Sequence, residues 1–125
     1  MNWNELAHQK YVLLTTYKKD GTPVATPVWV APDGDDLVVW TNPKTWKVKR
    51  LHRNPEVTVQ PCDSRGRPKD SQVSPGTARI LDADGTDRVR DLIAHKYGVI
   101  GTVFIRGHRL IRGRDGSVGL AIVAR

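Results

Sequence analysis

Tyr11-Val12-Leu13-Leu14-Thr15-Thr16-Tyr17, then Lys18-Lys19-Asp20-Gly21, then Thr22-Pro23-Val24-Ala25-Thr26-Pro27-Val28-Trp29-Val30 is the stretch on which the fold turns. Two runs rich in β-forming residues, separated by Asp-Gly, predict a hairpin. Pro23 and Pro27 give the second run an irregular or edge pairing, because proline donates no ladder hydrogen bond. Pro32-Asp33-Gly34-Asp35 is a second turn, and Leu37-Val38-Val39-Trp40-Thr41 a third strand. An antiparallel meander follows from these residues alone.

Working outward, residues 2–9 read as a short helix with Asn2 or Asn4 as N-cap. Residues 45–53 read as a short basic helix that Asn54-Pro55 ends, since the residue before proline avoids helical geometry. Val57-Thr58-Val59 begins a strand, and Val73 to Leu81 forms another, interrupted at Pro75-Gly76. Asp84-Gly85-Thr86-Asp87 opens a helix to about Lys96, with Val89, Leu92 and Ile93 on one face. Residues 99–112 fit helix and strand equally. Val118 to Val123 closes the chain as a strand. Hairpins dominate over any strand–helix–strand rhythm. The expected fold is mainly β (α+β): an antiparallel barrel of about six strands with two or three short helices, one domain over residues 1–125.

The 125 residues carry 20 Lys and Arg against 13 Asp and Glu, a net charge of +7. That excess favours an anionic partner: nucleic acid, an acidic membrane surface or a phosphorylated small molecule. No apolar run approaches the roughly 20 residues of a membrane span. The N-terminus has neither the basic head nor the apolar stretch of an export signal. A single cysteine, Cys62, excludes an internal disulfide framework and fits a reducing cytoplasm. Asp63 beside it raises the thiol pKa, so Cys62 reads as a packed thiol rather than a nucleophile. The four histidines lie too far apart in sequence for the usual zinc spacing, and the glycines match no phosphate-loop pattern.

The informative stretch for function is Asp36 to Pro55. A strand ends at Thr41, and a helix with five Lys or Arg between residues 44 and 53 follows. Hydroxyls of Thr41 and Thr45 and ammonium groups of Lys47 and Lys49 can converge on a phosphate, helped by helix N-terminal N–H groups. Two other readings stand beside this one: a solvated basic helix, and a nucleic-acid surface with Trp46 stacking on a base.

Several segments together resemble the pyridoxamine 5′-phosphate oxidase-like split β-barrel proteins. More closely, they resemble the small actinobacterial branch of oxidoreductases that depend on the deazaflavin F420. They are Leu14-Thr15-Thr16 with Lys19-Asp20-Gly21-Thr22-Pro23 and Thr26-Pro27-Val28-Trp29, and the strand-end Thr41 with Lys47, Leu51 and Asn54-Pro55. Gly76 to Leu81 and the helix from Asp87 to Tyr97-Gly98 complete the likeness, which covers about residues 5–98. It implies Lys47 as the phosphate-binding lysine, Thr41 as the threonine beside that phosphate and Thr45 as a small polar neighbour. Trp46 stands where the oxidases have an arginine. Arg50 is implied to reach the phosphate or a longer tail, and Gln72 falls near a glutamine that reaches the same phosphate. Pro27, Val28 and Trp29 match the strand along the ring. The longer C-terminal region that holds the vitamin substrate in the true oxidases has no counterpart, which argues against vitamin B6 oxidation.

The resemblance therefore implies a cytoplasmic, homodimeric oxidoreductase with F420, or alternatively FMN, between its subunits, acting on a small-molecule substrate. The carboxylate tail of F420 has more use for the surplus cations Lys44, Lys49, Arg50 and Arg53. A cofactor carrier without dedicated substrate and a nucleic-acid binder using residues 44–53 are the non-enzyme readings.

Overall fold

The computed structural model describes residues 2–41, 46–112 and 118–125, with the backbone alone for Trp46 and residues 99–112. Lys44 and Thr45 lie outside the described residues. Within them, the hairpin runs as β1 (Val12–Tyr17) and β2 (Pro23–Val28), in register from Val12 opposite Val28 to Tyr17 opposite Pro23. Then come β3 (Ala31–Asp33), β4 (Asp36–Thr41), β5 (Glu56–Pro61), β6 (Ser74–Ile80) and β7 (Val118–Ala124). All pairs are antiparallel, in the order β2-β1-β5-β6-β7-β4-β3, a curled sheet of seven strands that forms a half-barrel. The helices are α1 (Trp3–Ala7), α2 (Trp46–Arg53) and α3 (Ala83–Arg112).

Alternation places one set of side chains inside the curl. Val12 and Leu14 of β1 meet Val39, Val57, Val59, Leu120 and Ile122, all fully buried. Leu6 and Ala7 of α1 and Leu51 of α2 complete the same cluster. Each such side chain contributes roughly 1.5–3 kcal/mol of burial, so the curl is stabilised chiefly by this interior. Asn2 caps α1: its side chain accepts from the Glu5 N–H at 2.8 Å, and the Glu5 carboxylate accepts from the Asn2 N–H.

The outer face of β3, β4 and β7 is covered by α3. Val89 and Ile93 pack on Ala31, Val38 and Ala121, the stripe expected of this helix. Helix and strand meet almost backbone to backbone at Gly119. Its N–H donates to the Thr86 hydroxyl at 2.9 Å, and a Cβ there would lie 2.9 Å from a Val89 methyl. No helix among the described residues is long and apolar enough to cross a membrane.

Four details differ from the sequence reading. The run after Thr22 breaks at Trp29-Val30, and Ala31–Asp33 pairs with β4 across a two-residue Gly34-Asp35 turn, giving seven strands rather than about six. Pro75 does not interrupt β6. It lies near the strand's start, opposite Thr58 and beyond the last β6–β7 pair, and its carbonyl accepts from the Arg125 N–H at 3.2 Å. The third helix begins at Ala83, because the Asp82 carboxylate caps the Gly85 N–H at 2.9 Å. Residues 99–112 are helical, and the helix bends at Gly98 (φ 63°, ψ −140°), a backbone conformation open essentially to glycine.

The Gly119 contact yields a stability prediction. Gly119→Ala should lower unfolding stability by roughly 1–3 kcal/mol, measured by urea denaturation, because the new methyl overpacks against Val89. In a Val89→Ala background the same substitution should cost measurably less.

Candidate functional site

Helix α2 sits on the interior cluster through Leu51 and brings Val48 to 3% exposure. The same turn buries a cation. Lys47 is only 8% exposed, and it has no hydrogen-bond or ion-pair partner among the described residues. Burial pushes its ammonium below the usual lysine range, and Arg50, one turn on, pushes the same way. The first turn of α2 carries no acidic residue, so this lysine also opposes the positive end of the helix dipole. An isolated buried cation in such a place is costly, and an anion bound there removes the cost.

Arg50 lies beside Lys47, and its guanidinium reaches the hydroxyl of Thr16 at 3.5 Å. Thr16 is fully buried on the interior face of β1. Nothing in its sequence context distinguished this threonine, which lies in a β-rich run like its neighbour Thr15. Only the seating of α2 against β1 brings it to Arg50. Lys49 behaves otherwise: it is exposed while Lys47 is buried, so the two ammonium groups do not share one face. Thr41, half-buried, ends β4 opposite Val118.

Pro27, Val28 and Trp29 lie toward the other end of the β1–β2 ladder. Val28 pairs with Val12, four residues from Thr16, or about 13 Å along the strand. The Val28 side chain belongs to the interior cluster, whereas Trp29 packs with Trp40 against the Val89–Ile93 cluster. Gln72 is exposed in the loop before β6, its N–H donating to the Asp70 carboxylate at 3.0 Å. The β5–β6 register stops at Ser74, opposite Val59. Beyond it the Gln60 side chain donates to the Asp70 carbonyl, and the Lys69 N–H donates to the Pro61 carbonyl. Gln72 thus lies in the segment between Asp70 and Ser74, beside Gln60, which pairs with Leu13 opposite Pro27. Gln72 therefore keeps company with the Val28 end of the sheet rather than with Lys47. Cys62 is fully buried, and burial together with Asp63 raises its thiol pKa.

A second polar assembly went unread in the sequence. The Lys96 ammonium donates to the carbonyls of Ala7 (2.9 Å), Val30 (2.6 Å) and Gln9. The neighbouring Tyr97 hydroxyl donates to the Lys10 carbonyl at 2.6 Å and accepts from the Val30 N–H at 3.1 Å. The Tyr97 ring stacks on Trp29 with centroids 4.3 Å apart and planes 10° from parallel. Burial brings Lys96 down to about 8 and Tyr97 up to about 12, so near neutral pH both retain their protons. The available signal was a Lys-Tyr pair just before a glycine at a helix bend, but its carbonyl partners are distant in sequence.

The buried cation sets a testable balance. Lys47→Met should stabilise the ligand-free protein, measured by denaturant unfolding at neutral pH. A lysine whose folded pKa is depressed binds its proton less tightly folded than unfolded. Its penalty is complete below the folded value and fades as pH rises toward the ordinary 10.5. The gain from Lys47→Met should shrink over that alkaline range.

The chain matches the family model described as pyridoxamine 5′-phosphate oxidase over residues 4–114. Among solved structures, it is similar to HutZ, the heme storage protein of Vibrio cholerae. The TM-score is 0.69 at 14% identity, covering 98% of this chain and 87% of that one. It is similar to an F420 reductase with a TM-score of 0.62 at 18% identity, covering 100% and 94%. A conserved hypothetical protein of Mycobacterium tuberculosis gives a TM-score of 0.69 at 22% identity, covering 100% and 81%. At these identities the likeness is one of fold. No curated protein matches in sequence. With the half-barrel in place and the family model spanning nearly the whole chain, this protein belongs to the pyridoxamine 5′-phosphate oxidase-like family of split-barrel proteins.

Proposed function

We propose that this protein is an oxidoreductase that binds a phosphorylated flavin-type cofactor, F420 with FMN as the alternative, and exchanges hydride with a small-molecule substrate. The observation that carries the reading is Lys47: a lysine only 8% exposed at the start of a helix, with Arg50 beside it and no acid to pair with among the described residues. A phosphate monoester or diester is the kind of group such a site accommodates. A diffuse nucleic-acid patch would instead use exposed cations and gain nothing from burying one.

In this reading Lys47 and Arg50 hold the phosphate, with Thr41 and Thr45 beside it. The backbone of Pro27, Val28 and Trp29 borders the ring. β2 lies at an edge of the sheet, so its outward peptide groups have no strand partner within the sheet. The gap of about 13 Å along β1 suits a cofactor whose ring and phosphate are separated by a sugar-alcohol chain. Gln72 then lies nearer the ring than the phosphate. When bound, the ring supplies the hydride chemistry, and the chain's own residues bind, orient and shield it. The exposed Lys49 and Arg53 continue the positive charge along α2, which favours the carboxylate-bearing tail of F420 over FMN. A second copy of the chain, covering the β2 edge, would enclose the cofactor in a homodimer.

Titration of the purified protein with F420, FMN and riboflavin tests the assignment. Lys47→Ala should lose roughly 1.5–3 kcal/mol with the phosphorylated cofactor, a 10- to 150-fold rise in Kd. Thr41→Val should lose about 1 kcal/mol. Riboflavin, which lacks the phosphate, should bind variant and parent alike. If Lys49→Ala weakens binding as much as Lys47→Ala, the basic helix acts as a charge patch and the assignment fails.

Binding should also be pH-dependent, because Lys47 must be protonated to hold a phosphate. Affinity should fall on the alkaline side, measured by titration at stepped pH, and the fall should be absent in Lys47→Met. Analytical ultracentrifugation tests the dimer: a monomer that binds cofactor at full strength would contradict it.

A further inference from the structure

Beside the Trp29–Tyr97 stack the surface opens into a groove of about 370 Å³, lined by His8, Lys10, Tyr11, Trp29, Lys96 and Tyr97. The lining combines three aromatic rings with two lysines and a histidine, and no carboxylate of the described residues lies in it. The volume falls in the range of small-molecule pockets.

The walls are fixed before any ligand arrives. Lys96 holds the carbonyls of Ala7, Gln9 and Val30, and Tyr97 holds the Lys10 carbonyl and the Val30 N–H. Both backbone segments bordering the groove are thereby pinned to α3 just before its bend at Gly98. Such preorganisation lowers the ordering cost of binding. His8 Nδ1 lies 2.8 Å from the Asn4 carbonyl and donates to it, which leaves Nε2 as the ring nitrogen for a ligand. A purely structural latch explains the carbonyl bonds of Lys96. It does not explain why aromatic rings and cations surround an open groove from which acids are absent.

We propose that this groove is a second ligand site, distinct from the Lys47 site, and that it takes a small planar aromatic carboxylate. The ligand ring packs along Tyr11, Trp29 and Tyr97, and its carboxylate faces Lys10, while Lys96, whose three N–H groups are held by carbonyls, contributes only its positive charge. The site stands without the cofactor assignment. Where that assignment holds, the groove adjoins the strand placed along the ring, and an aromatic carboxylate becomes the substrate class.

The probe is 2-naphthoate, titrated by calorimetry against the full chain without cofactor, with 2-naphthylmethanol and cyclohexanecarboxylate as comparators. Naphthoate should bind more tightly than either. Lys10→Gln should weaken it about two- to fivefold, the range of an exposed charge contact. That variant spares the fold, because it is the Lys10 backbone carbonyl that Tyr97 holds. Lys47→Ala should leave naphthoate affinity unchanged.

Equal binding of naphthoate and the alcohol, an unaffected Lys10→Gln, or competitive displacement of naphthoate by FMN would each overturn the proposal. Naphthoate binding with no affinity for F420 or FMN would sink the cofactor assignment and leave the groove standing. Cofactor binding without naphthoate binding would do the reverse.

Discussion

An antiparallel sheet that curls without closing has a concave face to fill and a convex face to cover, and every other element answers to that constraint. The concave side is filled by its own alternating residues, Leu14, Val39, Val57, Val59, Leu120 and Ile122, with Leu6 and Leu51 brought in from two short helices. The convex side of β3, β4 and β7 is covered by α3, which approaches so closely at Gly119 that no side chain fits between helix and strand. Both short helices are therefore placed by tertiary contact. Helices of this length have little stability of their own in water.

The seating of α2 creates the chemistry of the candidate site. Leu51 joins the interior cluster and Val48 is buried on the same short helix, and that seating carries Lys47 under cover as well. An unpaired ammonium in that position opposes folding, and the phosphate proposed for the site would offset that cost. The sequence resemblance implies Lys47 as the phosphate-binding lysine, and the fold buries that same lysine at the start of α2.

Lys96 and Tyr97 perform a different task with similar groups. Here the ammonium is surrounded by backbone carbonyls, which accept its hydrogen bonds and join the end of α1, the α1–β1 link and the β2–β3 junction to the end of the straight part of α3. One lysine is buried with partners and the other without. The difference in partners, more than burial itself, separates the two cations.

The sequence by itself determined the hairpins, the antiparallel class and the basic helix after Thr41. These rest on local chemistry: Asp-Gly and Gly-Asp turns, period-two alternation, and Asn54-Pro55 ending a helix. It also singled out Lys47 and Lys49, because a short helix so rich in cations is visible without coordinates, and the family resemblance added Arg50. Only the tertiary structure decided that Lys47 is buried while Lys49 is exposed, that Thr16 meets Arg50, and that Gln72 lies in the segment between Asp70 and Ser74, beside β5. Only the fold could join Lys96 to carbonyls 66 to 89 residues away. The physical reason is range. Turn and helix signals are carried by residues adjacent in sequence, whereas burial and long-range hydrogen bonds depend on which surfaces the curled sheet brings together.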